Sequence, residues 1–236
     1  MKKSIALRLI LGLTFVAVSA TAAQISLPTN VGCSSGPTVI CNVDDQMTYL
    51  LAAGPFGIGG FTADGINPLV IDLQTVGGLG LQTGDILNIF AEGDLCFNNG
   101  TSCMSPSFGA VFASSALFES NTVTLNRVIN ALSAPGGTTA ANTSGSPTTN
   151  GSFNTDISQD FLIFQGSGTQ VTLPNLTTYR YLFIGILDSF YGDNSDGGTV
   201  SNDLQVRLTI VPEPSTYGLL LSGLGALVAF RKYRKN

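Results

Sequence analysis

The chain has 236 residues, 44% of them hydrophobic and only 11% charged, with 28 Gly, 4 Cys, no Trp and no His. Its basic residues gather at the termini (Lys2, Lys3, Arg8; Arg231, Lys232, Arg234, Lys235), so residues 24–211 hold 14 acidic side chains (all 15 but Glu213) against Arg127, Arg180 and Arg207, a net charge of −11. That balance excludes nucleic-acid binding, and the lack of His, with every Lys in a terminal segment, excludes imidazole triads, His-bound zinc or haem and Ser-Lys catalysis, leaving carboxylate chemistry.

Residues 1–23 have the pattern of a secretory signal peptide: Lys2 and Lys3, an apolar run from Ile5 to Val18, then small residues at Ala20-Thr21-Ala22 or Thr21-Ala22-Ala23. The mature chain is expected to start at Ala23 or Gln24. Export to an oxidising compartment makes Cys33, Cys41, Cys96 and Cys103 a disulfide question. Three pairings exist. The local bridges Cys33–Cys41 and Cys96–Cys103 each close a turn-rich loop and are the expected ones, whereas neither spacing suits a zinc cluster.

Between residues 24 and 210 the pattern is all-β, and a jelly-roll-like β-sandwich is the expected architecture. Short strands are expected at 85–91, 108–114, 161–164 and 170–173, separated by Gly, Asn and Asp turns. Residues 133–156 break this rhythm with Ala-Pro-Gly-Gly and Ser-Pro-Thr-Thr and read as a flexible surface excursion. Residues 179–187 form a near-continuous apolar run, as in a central strand buried on both faces. Residues 204–210 alternate instead, with Gln205, Arg207 and Thr209 facing out.

The loop between those two strands holds the densest polar cluster: Asp188, then Phe190-Tyr191-Gly192-Asp193-Asn194-Ser195-Asp196. Its oxygen donors suit Ca2+, and the same residue types also make an ordinary turn. Gly84-Asp85, Phe108-Gly109-Ala110-Val111, Asp188 and Tyr191-Gly192-Asp193-Asn194 together resemble the small bacterial calcium-dependent galactophilic lectins, over about residues 80–210. That resemblance implies a jelly roll binding galactose through Ca2+, with the metal on Asp188, the Phe190 carbonyl, Asp193, Asn194 and a carbonyl near Phe97.

At the C-terminus, Val211-Pro212-Glu213-Pro214-Ser215 is followed by an apolar run with Leu219-Leu220 and Gly223-Leu224, then by Arg231–Lys235. This tail, 211–236, resembles the PEP-CTERM protein-sorting signal of Gram-negative bacteria that make exopolysaccharide. The resemblance implies recognition by an exosortase, a membrane protease-transpeptidase, near the Pro-Glu-Pro. Residues 215–230 are expected to form a transmembrane helix anchoring the precursor in the inner membrane, with the basic tail cytoplasmic.

The function expected is that of a noncatalytic cell-envelope or extracellular-matrix protein, processed by signal peptidase and exosortase. Its domain would lie in the periplasm, at the cell surface or in the matrix, and would bind exopolysaccharide or a galactoside through Ca2+. An alternative is a purely structural matrix or surface protein without a specific ligand. A glycoside hydrolase needs two acids flanking a cleft; Asp188 and Asp193, bunched on one loop, more naturally hold a cation.

Overall fold

The computed structural model describes residues 24–45, 47, 68–97, 102–104, 107–119, 127–132, 160–186, 204–211, 222–224 and 231. Its strands are β1 (Gln24–Ser26), β2 (Thr38–Asn42), β3 (Leu69–Asp72), β4 (Ile86–Glu92), β5 (Leu95–Phe97), β6 (Ser102–Met104), β7 (Ser107–Ala113), β8 (Leu117–Glu119), β9 (Phe161–Phe164), β10 (Thr169–Thr172), β11 (Tyr181–Ile186) and β12 (Gln205–Val211). Two four-stranded antiparallel sheets, ordered β10-β4-β12-β2 and β3-β11-β7-β9, face each other. The core between them draws Val39, Leu87, Ile89, Val206 and Leu208 from the first sheet and Ile71, Phe108, Phe112, Phe161 and Ile184 from the second. Phe112 and Phe161 stack there with ring centroids 5.6 Å apart. The architecture is a β-sandwich.

The sheets differ in their outer faces, and the sequence pattern follows from that difference. In β4 and β12 buried residues alternate with half-buried ones, because the first sheet has one face on the core and the other toward solvent. In β3, β7 and β11 nearly every residue is buried. Their outward side chains Val70, Val111, Ala113 and Phe183 enter a second apolar cluster with Leu27, Phe118 and Val128. The pair β1–β8 and residues 127–132 supply that cover, tied down by the Phe118↔Val128 bridge and by Arg127, which lies 4.5 Å from the Phe118 ring centroid and donates from Nε to the Glu119 carbonyl.

The two sides of the sandwich are closed by different means. On one, the chain turns from β9 into β10, and the Thr169 hydroxyl donates back to the Leu162 carbonyl (2.7 Å). On the other, Asn30 takes a left-handed conformation (φ 58°) and bonds the edge of β3, donating its amide to the Val70 carbonyl (2.9 Å) and accepting from the Asp72 amide (2.8 Å). Four residues later the Ser34 amide donates to the Ile40 carbonyl of β2 (2.8 Å), and the Asn42 amide donates to the Gly32 carbonyl (3.2 Å). Residues 30–34 thus strap one sheet edge to the other. The disulfide Cys33–Cys41, its Cα atoms 3.9 Å apart, fixes the strap to β2. A second bridge, Cys96–Cys103, crosses directly opposed residues of the β5–β6 hairpin.

At the chain ends the structure corrects the sequence expectation. Among the described residues no helix is long and apolar enough to cross a membrane; the helical residues toward the C-terminus are Ser222–Leu224 and Arg231, all exposed. Length argues the same way. Sixteen residues, 215–230, make a helix of about 24 Å, against a hydrocarbon core of about 30 Å. The expected transmembrane helix is therefore withdrawn. The signal peptide expected over residues 1–23 lies outside the described residues, among which no signal peptide is evident. The excursion expected over 133–156 also lies outside the described residues.

If the strap depends on Cys33–Cys41, the double variant Cys33→Ser/Cys41→Ser loses the cross-link of a short loop, worth about 2.5 kcal/mol. Urea denaturation under non-reducing conditions should show a lower midpoint. An unchanged midpoint would mean that the hydrogen bonds of residues 30–34 hold the edge without the bridge.

Candidate functional site

The candidate segment in the described structure is the end of β12. This strand forms because Val206, Leu208 and Ile210 alternate with Gln205, Arg207 and Thr209, placing one set against the core and the other on the open face. It lies second from the edge, paired antiparallel with β2 and with β4. On the open face Arg207 joins it to β4: the guanidinium sits 4.0 Å from the Phe90 ring centroid and pairs with Glu92. The Phe90 ring in turn lies across Gly168, where a Cβ would come within 2.6 Å of it and where φ is +66°. Only glycine suits that position.

β12 ends where its sequence must end it. Pro212 has no amide hydrogen to continue a ladder, and a residue preceding proline is held in extended conformation, as Val211 is in the strand. Opposite Val211 stands Ile86, the first residue of β4. The turn before Ile86 is bonded tightly: the Asp85 carboxylate accepts from the Gln82 amide (2.7 Å), and the Asp85 carbonyl accepts from the Leu173 amide (2.8 Å). A side-chain bridge then links this rim to the second sheet. The Leu176 amide donates to the Thr83 hydroxyl (3.0 Å), and the Gln74 side-chain amide donates to the Leu176 carbonyl (2.9 Å).

The same end holds the ion pair of Asp72, the last residue of β3, with Arg180, which precedes β11. Arg180 Nε donates to Asp72 Oδ1 (3.0 Å) and its Nη2 donates to Oδ2. Burial alone pushes the Asp72 carboxyl up, but the Arg180 guanidinium and the Gln74 amide, bonded to the same carboxylate, outweigh it and hold it below the usual range. The Asp72 bond raises Arg180 in return. The pair fastens two strand ends and offers no free group for chemistry.

Of the metal-site and sorting residues singled out from sequence, the structure describes Val211 and Phe97. Val211 lies at the exit just described, and Pro212, Glu213, Pro214 and Ser215 follow it outside the described residues. Asp188, Phe190, Asp193 and Asn194 also lie outside them. Their flanking residues are Ile186, opposite Phe108, and Leu204, whose carbonyl accepts from the Val43 amide, both at the far end from Val211. Phe97 ends β5, in the hairpin that follows β4 at that far end. Among the described residues no group of three or more His, Cys, Asp or Glu could hold a metal ion.

The decisive likeness is at the exit. Residues 211–235 match the PEP-CTERM protein-sorting motif. Comparison with curated proteins gives no match, and comparison with solved structures gives none. The matched motif is a noncatalytic sorting signal, which supports an exosortase-processed protein of the cell envelope or the extracellular space. It leaves the lectin resemblance without support. It also corrects the expected partner and location: the PEP-CTERM motif supports processing, but anchoring of a precursor in the inner membrane rested on the helix over 215–230, and no membrane-crossing helix is found among the described residues. The strand and the motif share Val211.

The sign of the Asp72 shift fixes a pH dependence. A carboxyl held low in the folded state contributes stability that is fully present above its unfolded value, about pH 4, and is lost as pH falls through the folded value. Comparing urea midpoints of the parent and Asp72→Asn from about pH 6 down to about pH 2 should show the gap between them closing as the pH drops. A constant gap would show that Asp72 supports the fold by hydrogen bonding alone.

Proposed function

We propose that this protein is a structural component of the cell envelope or extracellular matrix, a displayed β-sandwich with no specific ligand. In this reading residues 24–210 are the working domain and 211–236 the sorting segment. The observation that supports it is the junction at Val211, where a disulfide-stapled sandwich passes directly into the PEP-CTERM motif. Surface display asks of a domain that it stay folded without a reducing cytoplasm, ligand or cofactor. Two bridges and three strands covered on both faces meet that demand.

Processing should depend on the motif. Intact mass of the chain recovered from an exosortase-bearing host should show loss of the tail, and the chain from a host without the enzyme should keep it. Glu213→Ala should be retained whole in both. Equal masses in the two hosts would defeat the sorting reading.

Calcium separates the structural reading from the carbohydrate-binding one. Extracellular Ca2+ modules bind at about 0.1–1 mM, so melting curves in EDTA and in about 5 mM CaCl2 bracket such a site. The structural reading expects the curves to coincide. A Ca2+-induced rise that disappears in Asp188→Ala would put a metal site on that loop instead.

A further inference from the structure

The strand that holds the sandwich together and the segment that the sorting enzyme reads overlap at Val211, so no spacer separates them. The three residues Pro212-Glu213-Pro214 reach about 10 Å at full extension. An enzyme that closes around them meets the end of the sandwich. Chain is processed where it is exposed and locally open, and a paired strand is neither.

The rim around the exit is braced against movement. Asp85 bonds the Gln82 and Leu173 amides, Thr83 bonds Leu176, and Asp72 pairs with Arg180. β12 is different. Its register with β2 stops at Thr209↔Thr38, whereas its register with β4 runs on to Val211↔Ile86. Pro37 sets the first limit, because it precedes Thr38 and has no amide hydrogen to extend the ladder. Ile210 and Val211 are therefore held by strand pairing on one side only. Burial changes at the same point: Leu208 is fully buried, whereas Ile210, at the margin of the core, and Val211 are half-buried.

We propose that Ile210 and Val211 are a latent spacer, which unpairs from β4 when the exosortase engages the motif and so lengthens its reach by about 7 Å. The inference rests on the sorting reading. Unpairing stops at Thr209, where pairing on both sides resumes and Leu208 is locked in the core. The movement breaks no covalent bond, and the two residues can pair with β4 again once the enzyme leaves. Specificity for this substrate then includes the one-sided tip of β12 as well as the motif.

The test uses the full chain in an exosortase-bearing host, followed by pulse-chase. Ile86 and Val211 are directly opposed in antiparallel register, a separation within disulfide reach, so Ile86→Cys/Val211→Cys locks the tip to β4. Non-reducing peptide mapping identifies the new bridge. The locked variant should be processed at least tenfold more slowly, and a Gly-Ser-Gly-Ser insertion between Val211 and Pro212 should restore it. The same insertion in the unlocked parent should speed processing severalfold. Processing of the locked variant at the parental rate overturns the proposal. So does a locked variant that the insertion fails to rescue, or an insertion that leaves the unlocked parent unchanged. A parent that is never processed would instead overturn the sorting reading itself.

Discussion

In the sheet β3-β11-β7-β9 the strands β3, β11 and β7 are buried on both faces, and that constraint organises the molecule. Its inner side chains complete the main core, while Val70, Val111 and Phe183 point the other way and must be covered. Each fully buried aromatic or aliphatic side chain is worth about 1.5–3 kcal/mol, so leaving that second layer wet would cost more than a domain of this size can spare. The cover comes from β1, β8 and residues 127–132. Residues 24–34 therefore belong to the fold: they first supply part of the cover and then strap the edges of β3 and β2.

This two-layer burial also explains which strands are legible in the sequence. The run at 179–187 shows a strand buried on both faces because β11 is one, and the alternation at 204–210 shows a strand buried on one face because β12 is one. β4, β7, β9 and β10 lie within one or two residues of their expected limits, since turns flank each of them. β2 is hidden inside what reads as a turn-rich disulfide loop over 33–41. Its Thr-Val-Ile-Cys-Asn alternates, but Pro37 and two glycines nearby suggest turn, and only pairing with β12, more than a hundred residues away, makes it a strand. The hairpin β5–β6 is hidden in the same way between Cys96 and Cys103. The Asp72–Arg180 pair joins residues 108 apart and has no local signature. At the C-terminus composition suggests a membrane helix where length argues against one.

The sandwich is polar along its strands. One end carries the exit to the PEP-CTERM motif and is closed by short, hydrogen-bonded turns. The other receives the strand ends that flank residues 187–203. A strand of seven residues spans about 24 Å, and β12 runs that length between its two ends. The chain can be handled by its processing enzyme without disturbing the far end, provided that β12 survives the handling.

Whether β12 survives is decided by where the processed chain ends. Ending the chain within 205–209 would take away between two (at Thr209) and six (at Gln205) of the seven pairs with β4, and up to four of the five with β2. C-terminal peptide sequencing of the mature protein from an exosortase-bearing host reads the new end directly. A terminus at Val211 or beyond, in protein that still melts cooperatively, is the predicted result; a terminus within 205–209 in protein that is still folded would contradict the role of β12 as the tie between β2 and β4.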